Sequence, residues 1–202
     1  MAETVIGLLR HGQTDWNIDF RLQGTTDIPL NATGIHQAKA AGALIKASDW
    51  DVLITSPLSR AVATAAMVGD LAGIDDYTVE PLLLERAFGE AEGLTHDEWK
   101  AKYADLHNLP GGESLEELTA RAWVLLDHLA VTYAGKRVLA VSHGALIRKL
   151  IGLVSKGEFP REGERFGNAS LSTIGHNGGE WRILNYNPHT YQGKFPLSSE
   201  NP

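Results

Sequence analysis

Strand-like and helix-like segments alternate along most of this chain, and that alternation narrows the available folds more than any other feature. Thr4 to Leu9 is a short β-rich run that ends at Arg10. Ile35, Ala38, Ala41, Gly42 and Ile45 then set a helical stripe over residues 33–45. Asp51 to Thr55 reads as a second strand, followed by Ser56-Pro57, an N-cap serine with proline at the first helical position. This predicts a helix running to about Leu71, with Gly73 as its stop. Thr78 to Leu84 reads as a third strand. Thr95-x-x-Glu98 and Ser114-x-x-Glu117 are capping boxes, the second opening a helix through Thr132 with Leu118, Ala122, Leu125 and Leu129 on one face. Val138 to Val141 is continuously apolar, the pattern of a strand buried on both sides, and Ala145 to Val154 is helical again. Ser170 to Ile174 and Trp181 to Tyr186 flank His176-Asn177-Gly178-Gly179 as a hairpin. The expected fold is therefore α/β, a three-layer αβα sandwich with a mostly parallel central sheet and a C-terminal antiparallel hairpin.

Length and composition fit that fold as one domain over 1–202, with 193–202 as a loose tail: the 202 residues are 43% hydrophobic and 21% charged. The chain has no cysteine, which removes disulfides, thiolate metal sites and cysteine nucleophiles. A formal net charge of −7 argues against nucleic-acid or anionic-membrane partners, so any functional positive charge has to be local. The apolar run Val5 to Leu9 lacks a basic leader and is too short for a signal peptide or a membrane span, so a cytoplasmic location is expected. There is no H-E-x-x-H, P-loop or G-x-G-x-x-G motif, so neither a metal nor a nucleotide cofactor is expected. Whether the chain forms a homo-oligomer stays open.

In open α/β sheets ligands bind outside the carboxyl ends of the strands. Those ends carry Arg10-His11-Gly12, Ser56 to Arg60, Glu85-Arg86 and Ser142-His143-Gly144. Two histidines, several arginines and a carboxylate would share one rim. Two helix N-termini, after Ser56 and Gly144, would add free N–H groups that favour an anion. Such a rim suits phosphate.

These residues also resemble a known family. Leu9-Arg10-His11-Gly12-Gln13-Thr14-x-x-Asn17, Gln23-Gly24-x-x-Asp27-x-Pro29-Leu30, Ser56-Pro57-Leu58-x-Arg60-Ala61, Leu84-Glu85 with Gly89-x-x-Glu92-Gly93, and Ser142-His143-Gly144 are similar, in order, to the blocks of the histidine phosphatase, or phosphoglycerate mutase-like, superfamily. The resemblance runs from Leu9 to about Asn168. It implies that His11 is the nucleophile and carries a phosphoryl group, with Arg10, Arg60 and His143 around the phosphate oxygens and Asn17 donating one more hydrogen bond. It also implies that Glu85 acts as general acid and then base, and it extends substrate contact to Gln23, Gly24 and Arg86. No metal is required in this scheme, because arginines supply the charge stabilisation.

The resemblance leaves a fork. Phosphoglycerate mutases of this family also carry Glu-Arg at the position of Glu85-Arg86, but they have a longer insertion that places an arginine pair over the site. Here residues 96–112 supply Lys100 and Lys102 and no arginine, which favours a phosphatase acting on a small phosphorylated metabolite. The mutase and a non-catalytic phospho-ligand domain are the alternatives. Arg86 is expected to point at substrate or solvent. Glu85 has a structural rival role in an ion pair with Arg86, and Glu92 reads as a local structural group. Trp16 and Phe20 can either border the pocket or pack. His36, His96, His107, His128, His176 and His189 are expected to be ordinary surface or structural residues.

Overall fold

Side chains along the central strands alternate between two apolar layers, and this period of two builds the molecule. Ile6 and Leu8 of β1 (Thr4–Arg10), Ile54 of β2 (Val52–Thr55) and Val138 and Ala140 of β4 (Arg137–Ser142) face one layer. That layer is formed by α5 (Leu115–Thr132) and α6 (Gly144–Val154). Leu9, Leu53, Leu139 and Val141 face the other, formed by α2 (Ala32–Leu44) and α3 (Ser59–Ala72). The computed structural model describes residues 2–74 and 76–189, so the expected tail at 193–202 lies outside the described residues.

The six strands run in the order β3-β2-β4-β1-β5-β6, with β3 at Tyr77–Val79, β5 at Leu171–Asn177 and β6 at Glu180–Asn185. The β1–β4, β2–β4 and β2–β3 pairs are parallel, whereas β1–β5 and β5–β6 are antiparallel. The fold is the three-layer α/β sandwich with a terminal hairpin that the alternation predicts. Both capping boxes form, at α4 (His96–Lys102) and α5, and Gly73 ends α3 in the left-handed conformation at φ 76°. A short helix that the sequence reading omits, α1 (Asp15–Ile18), is capped by Thr14 and Asn17. Among the described residues no helix is long and apolar enough to cross a membrane.

Two expectations are corrected. The third strand was expected over Thr78 to Leu84, but β3 ends at Val79 and Pro81–Leu83 form a 3-10 turn. Pro81 has no N–H for a ladder, and the Glu80 side chain accepts from Leu82 N instead, closing the turn. The turn is docked rather than free. Ser142 Oγ donates to Leu83 O at 2.8 Å, and Arg121 of α5 donates to Leu82 O and Leu84 O at 2.9 and 2.8 Å. Arg121 is itself fixed by both oxygens of Glu113, each at 2.7 Å. Glu85 thus leaves a braced turn, not a strand end.

The second correction concerns Ser56-Pro57. The helix begins only at Ser59, behind Leu58, which offers no side-chain cap. Asp27 supplies the cap from a distant loop, its Oδ1 accepting from Ser59 N and Ser59 Oγ at 2.9 and 2.8 Å. Ser56 is left for another partner.

Candidate active site

The parallel register of β1 and β4 pairs Arg10 with Ser142, so the next residue of each strand, His11 and His143, leaves the sheet side by side. Their ring centroids lie 5.2 Å apart, and the rings are 2% and 0% exposed. His11 Nδ1 is 2.6 Å from Gly12 O. A carbonyl can only accept, so the proton sits on Nδ1 and the lone pair on Nε2. His143 Nε2 lies 2.7 Å from Ser56 Oγ, the partner that Ser56 takes in place of capping α3.

The loop after His11 is held by backbone packing. A Cβ on Gly12 would stand 2.4 Å from Gly34 O, and one on Gly34 would stand 2.0 Å from Gln13 O. The close neighbour of Gly12 is thus the first turn of α2. Gly12 N also donates to Thr64 Oγ1 at 3.1 Å, and Thr64 Oγ1 donates to Arg60 O at 2.7 Å, tying the His11 loop to α3.

Arg60 is fully buried and donates to Thr26 O and Gly24 O at 2.9 and 2.7 Å, while Arg10 Nη1 donates to Phe166 O. Among the described residues, three buried side-chain N–H donors are left without a hydrogen-bond partner: Arg10 Nε, Arg60 Nε and His143 Nδ1, the last when Ser56 donates to Nε2. Each unsatisfied buried donor costs about 1–3 kcal/mol, a cost that a tetrahedral oxyanion would remove. Some of the N–H groups at the two helix ends are already taken. Ser59 N is taken by Asp27, and Ala145 N and Leu146 N are taken by Glu85 Oε2 and Oε1 at 3.0 and 3.1 Å. Carboxylates occupy part of each helix end, and the unpartnered donors belong to the side chains of Arg10, Arg60 and His143.

Burial first, then the charges of Arg10 and Arg60, holds the His11 imidazole well below its ordinary range. Burial, then His11, Arg60 and Arg10, does the same for His143. Burial also lowers both Arg10 and Arg60, opposed in each case by the negative charge of Glu85. Both rings are therefore neutral near pH 7. For stability the sign follows directly: the unfolded chain binds protons at these histidines below about pH 6.5, and the native state does not, so stability falls on acidification. Between pH 7 and 5.5 the two rings together are expected to remove about 2–3 kcal/mol. Urea unfolding at the two pH values checks this, and replacing both by Asn should flatten that part of the profile.

The other expected site residues fall into two groups. Asn17 Oδ1 accepts from Thr14 N at 3.0 Å and from Asn168 Nδ2 at 3.1 Å, which fixes the amide and leaves its NH₂ outside these bonds. Asn168 Nδ2 also donates to His11 O at 3.1 Å. Glu85 is 8% exposed and accepts from Arg86 N at 2.9 Å in addition to α6. Its oxygens meet backbone N–H groups rather than the Arg86 side chain. Gln23 is buried, with Oε1 unpartnered. Gly24 sits at φ 56°, where a Cβ would stand 2.0 Å from Glu92 Oε1, and its carbonyl orients Arg60. Arg86, expected to point at substrate or solvent, does not face solvent: it is 4% exposed, and its guanidinium donates to Glu113 O, Leu106 O and His107 O.

Glu92 is the local structural group expected, accepting from the backbone and side chains of Thr25 and Thr26 and from Phe88 N. Ser56, Thr64, Arg121 and Asn168 were not assigned these roles from sequence. Their bonds cross 52 to 157 positions of chain or run to backbone atoms, so no local pattern marks them.

A cleft of about 760 Å³ borders Arg10, Asn17 and Asn168, with Trp16, Phe20 and Trp99 on its walls. Trp16 does both things left open for it, lining the cleft while its ring lies 3.2 Å from where a Cβ on Gly93 would be. Phe20 is 67% exposed on the rim at φ 53°. His96, expected to be unremarkable, also lines the cleft, whereas His128 pairs with Glu80 at 3.0 Å. Among the described residues no group of three or more His, Asp or Glu side chains is placed to hold a metal ion.

Comparisons with known proteins agree with this arrangement. The sequence model of the histidine phosphatase superfamily (branch 1) matches residues 6–189. A Bacillus subtilis (strain 168) protein named as the uncharacterized phosphatase PhoE is 40% identical over 197 residues, covering 95% of this chain and 98% of that protein. A 2,3-bisphosphoglycerate-dependent phosphoglycerate mutase of Methylobacterium radiotolerans is 35% identical over 167 residues, covering 74% of this chain and 78% of the mutase. The solved structure of a mycobacterial glucosyl-3-phosphoglycerate phosphatase superposes with a TM-score of 0.79 at 30% identity, covering 92% of this chain and 99% of that one. Phosphatases thus match nearly end to end, and the chain belongs to the histidine phosphatase superfamily as a phosphoric monoester hydrolase.

Proposed function

We propose that this protein hydrolyses a small phosphomonoester without a metal ion, through a phosphohistidine on His11. The observation that carries the reading is the set of three unpartnered donors, Arg10 Nε, Arg60 Nε and His143 Nδ1, about a neutral histidine whose Nε2 bears the lone pair. The donors would bind the non-bridging oxygens, with Asn17 as a fourth. Nε2 would attack phosphorus in line, the ester P–O bond would break, and the leaving oxygen would take a proton from Glu85. The arriving dianion brings its charge beside the carboxyl, and a proton shared between the two relieves that repulsion. Water would then attack the phosphohistidine, passing a proton back to Glu85 and releasing inorganic phosphate.

The phosphatase reading is preferred to a mutase because of what covers the site. The cleft wall drawn from residues 95–106 consists of Thr95, His96, Asp97, Trp99 and Leu106, with no arginine; the cleft's arginines beyond Arg10, namely Arg21 and Arg165, come from separate segments. Lys102 pairs with Glu90 at 3.6 Å. The mutase reading is supported by the curated mutase relatives and by the Glu-Arg pair at Glu85-Arg86. A panel of phosphomonoesters assayed for phosphate release, alongside interconversion of 3- and 2-phosphoglycerate with and without 2,3-bisphosphoglycerate, separates the two. Phosphate release without interconversion is expected. Interconversion faster than release would replace this reading with the mutase.

A further inference from the structure

A second cavity of about 560 Å³ lies on the α5–α6 side of the sheet. Its walls are Phe88, Leu106, Leu115, Leu118, Leu153 and Pro160, an almost wholly apolar set. The titratable groups among its lining residues are Arg86, Arg148 and Lys149, and all three are cations. In a protein with a net charge of −7, an apolar hollow whose lining carries cations and no acid is a selective composition, although Glu85, Glu113 and Glu116 lie near enough to act on Arg86. The three cations are not equally available. The Arg86 guanidinium is committed to carbonyls and stacks over Phe88 at 5.2 Å, and Arg148 Nη1 donates to Glu164 O at 2.7 Å. Lys149 enters none of the salt bridges among the described residues, and it also borders a neighbouring depression that contains Glu116.

We infer that this cavity binds a small amphipathic anion, an aromatic or aliphatic body carrying one carboxylate or sulfonate, with the body between α5 and α6 and the charge at Lys149 and Arg148. The 560 Å³ volume falls within the usual range for small-molecule sites. A compound of this class gains apolar burial and one charge contact. A doubly charged phosphate without an apolar body gains only the latter and is better served by the donors around His11. The site also touches the machinery at its back: Ala145, whose N–H holds Glu85, lines it, and Leu106 borders both it and the substrate cleft. The inference does not depend on the reaction assigned to His11.

The test uses the full-length native protein and the fluorescent probe anilinonaphthalene sulfonate, which has an apolar aromatic body and one sulfonate. Saturable binding at one site is expected, undisturbed by millimolar inorganic phosphate or by Phe20→Ala on the rim of the other cleft. Lys149→Glu should weaken it roughly tenfold. Gly152→Leu should abolish it, because a Cβ there would meet only Phe159 O, at 3.6 Å, and the added side chain has the cavity to enter. Near-UV circular dichroism and urea midpoints show that each variant is folded. Displacement by phosphate, loss on Phe20→Ala, or binding that survives both Lys149→Glu and Gly152→Leu would place the probe elsewhere and overturn the inference, as would the absence of saturable binding.

Discussion

Replacing His11 by alanine is expected to lower phosphomonoester turnover by about 10⁴-fold or more, because without the imidazole no covalent intermediate can form and the remaining groups only bind. The same change should leave affinity for inorganic phosphate within about tenfold, since the donors Arg10 Nε, Arg60 Nε and His143 Nδ1 remain. Loss of the neighbouring ring removes an interaction that lowers His143, so the acid sensitivity of the variant should be smaller than that of the parent. Steady-state kinetics, isothermal titration with phosphate, and urea unfolding at pH 7 and about pH 5.5 read the three effects, and rapid quench with radiolabelled substrate at alkaline pH, where phosphohistidine survives, reads the covalent intermediate. If the parent protein turns over no phosphoester and His11→Ala binds phosphate as before, the domain is a phospho-ligand binder and the catalytic reading fails.

How much of this was legible in the sequence depended on whether a residue acts through its local pattern or through a long-range bond. The sheet followed from strands with two buried faces, such as Val138 to Val141, and from capping boxes that form as written at Thr95 and Ser114. The adjacency of His11 and His143 followed from one rule, that parallel strands deliver their carboxyl ends to the same rim. Pattern reading failed where a local signal was outbid by a distant partner. Ser56-Pro57 has the form of a helix start, yet Asp27 caps the helix from 32 positions away and Ser56 turns to His143. Likewise, β-like residues after Val79 form a turn because Pro81 and the Glu80 side chain close it locally, while Arg121 and Ser142 hold it from other elements. Helix N-termini were expected to face the anion, but a terminus is open to any carboxylate, and Asp27 at α3 and Glu85 at α6 take part of each through contacts that only the assembled fold creates.

The same dependence on assembly makes Glu92 a positioning residue for phosphate binding, although it is not among the donors left for the anion. Its two oxygens accept from Thr25 N at 3.0 Å, Thr26 N at 2.9 Å, Phe88 N at 3.0 Å and the hydroxyls of both threonines. The loop so fixed presents Gly24 O and Thr26 O to the Arg60 guanidinium, which is how a fully buried arginine is aimed. Arg60→Leu removes the cation itself and is expected to reduce kcat/KM by about 10³-fold, the scale of losing one or more charge-assisted contacts to a transferring phosphoryl group. Glu92→Gln leaves Arg60 in place but turns an amide NH₂ toward N–H and O–H groups that need an acceptor. It should cost about 2–4 kcal/mol of stability and raise the phosphate inhibition constant roughly 10- to 100-fold, with a smaller change in kcat. If Glu92 acts through Arg60, the two effects on phosphate affinity cannot add: in the Arg60→Leu background, Glu92→Gln should change the inhibition constant by less than about twofold. Additive losses in that double-mutant cycle would show that Glu92 supports the site by another route.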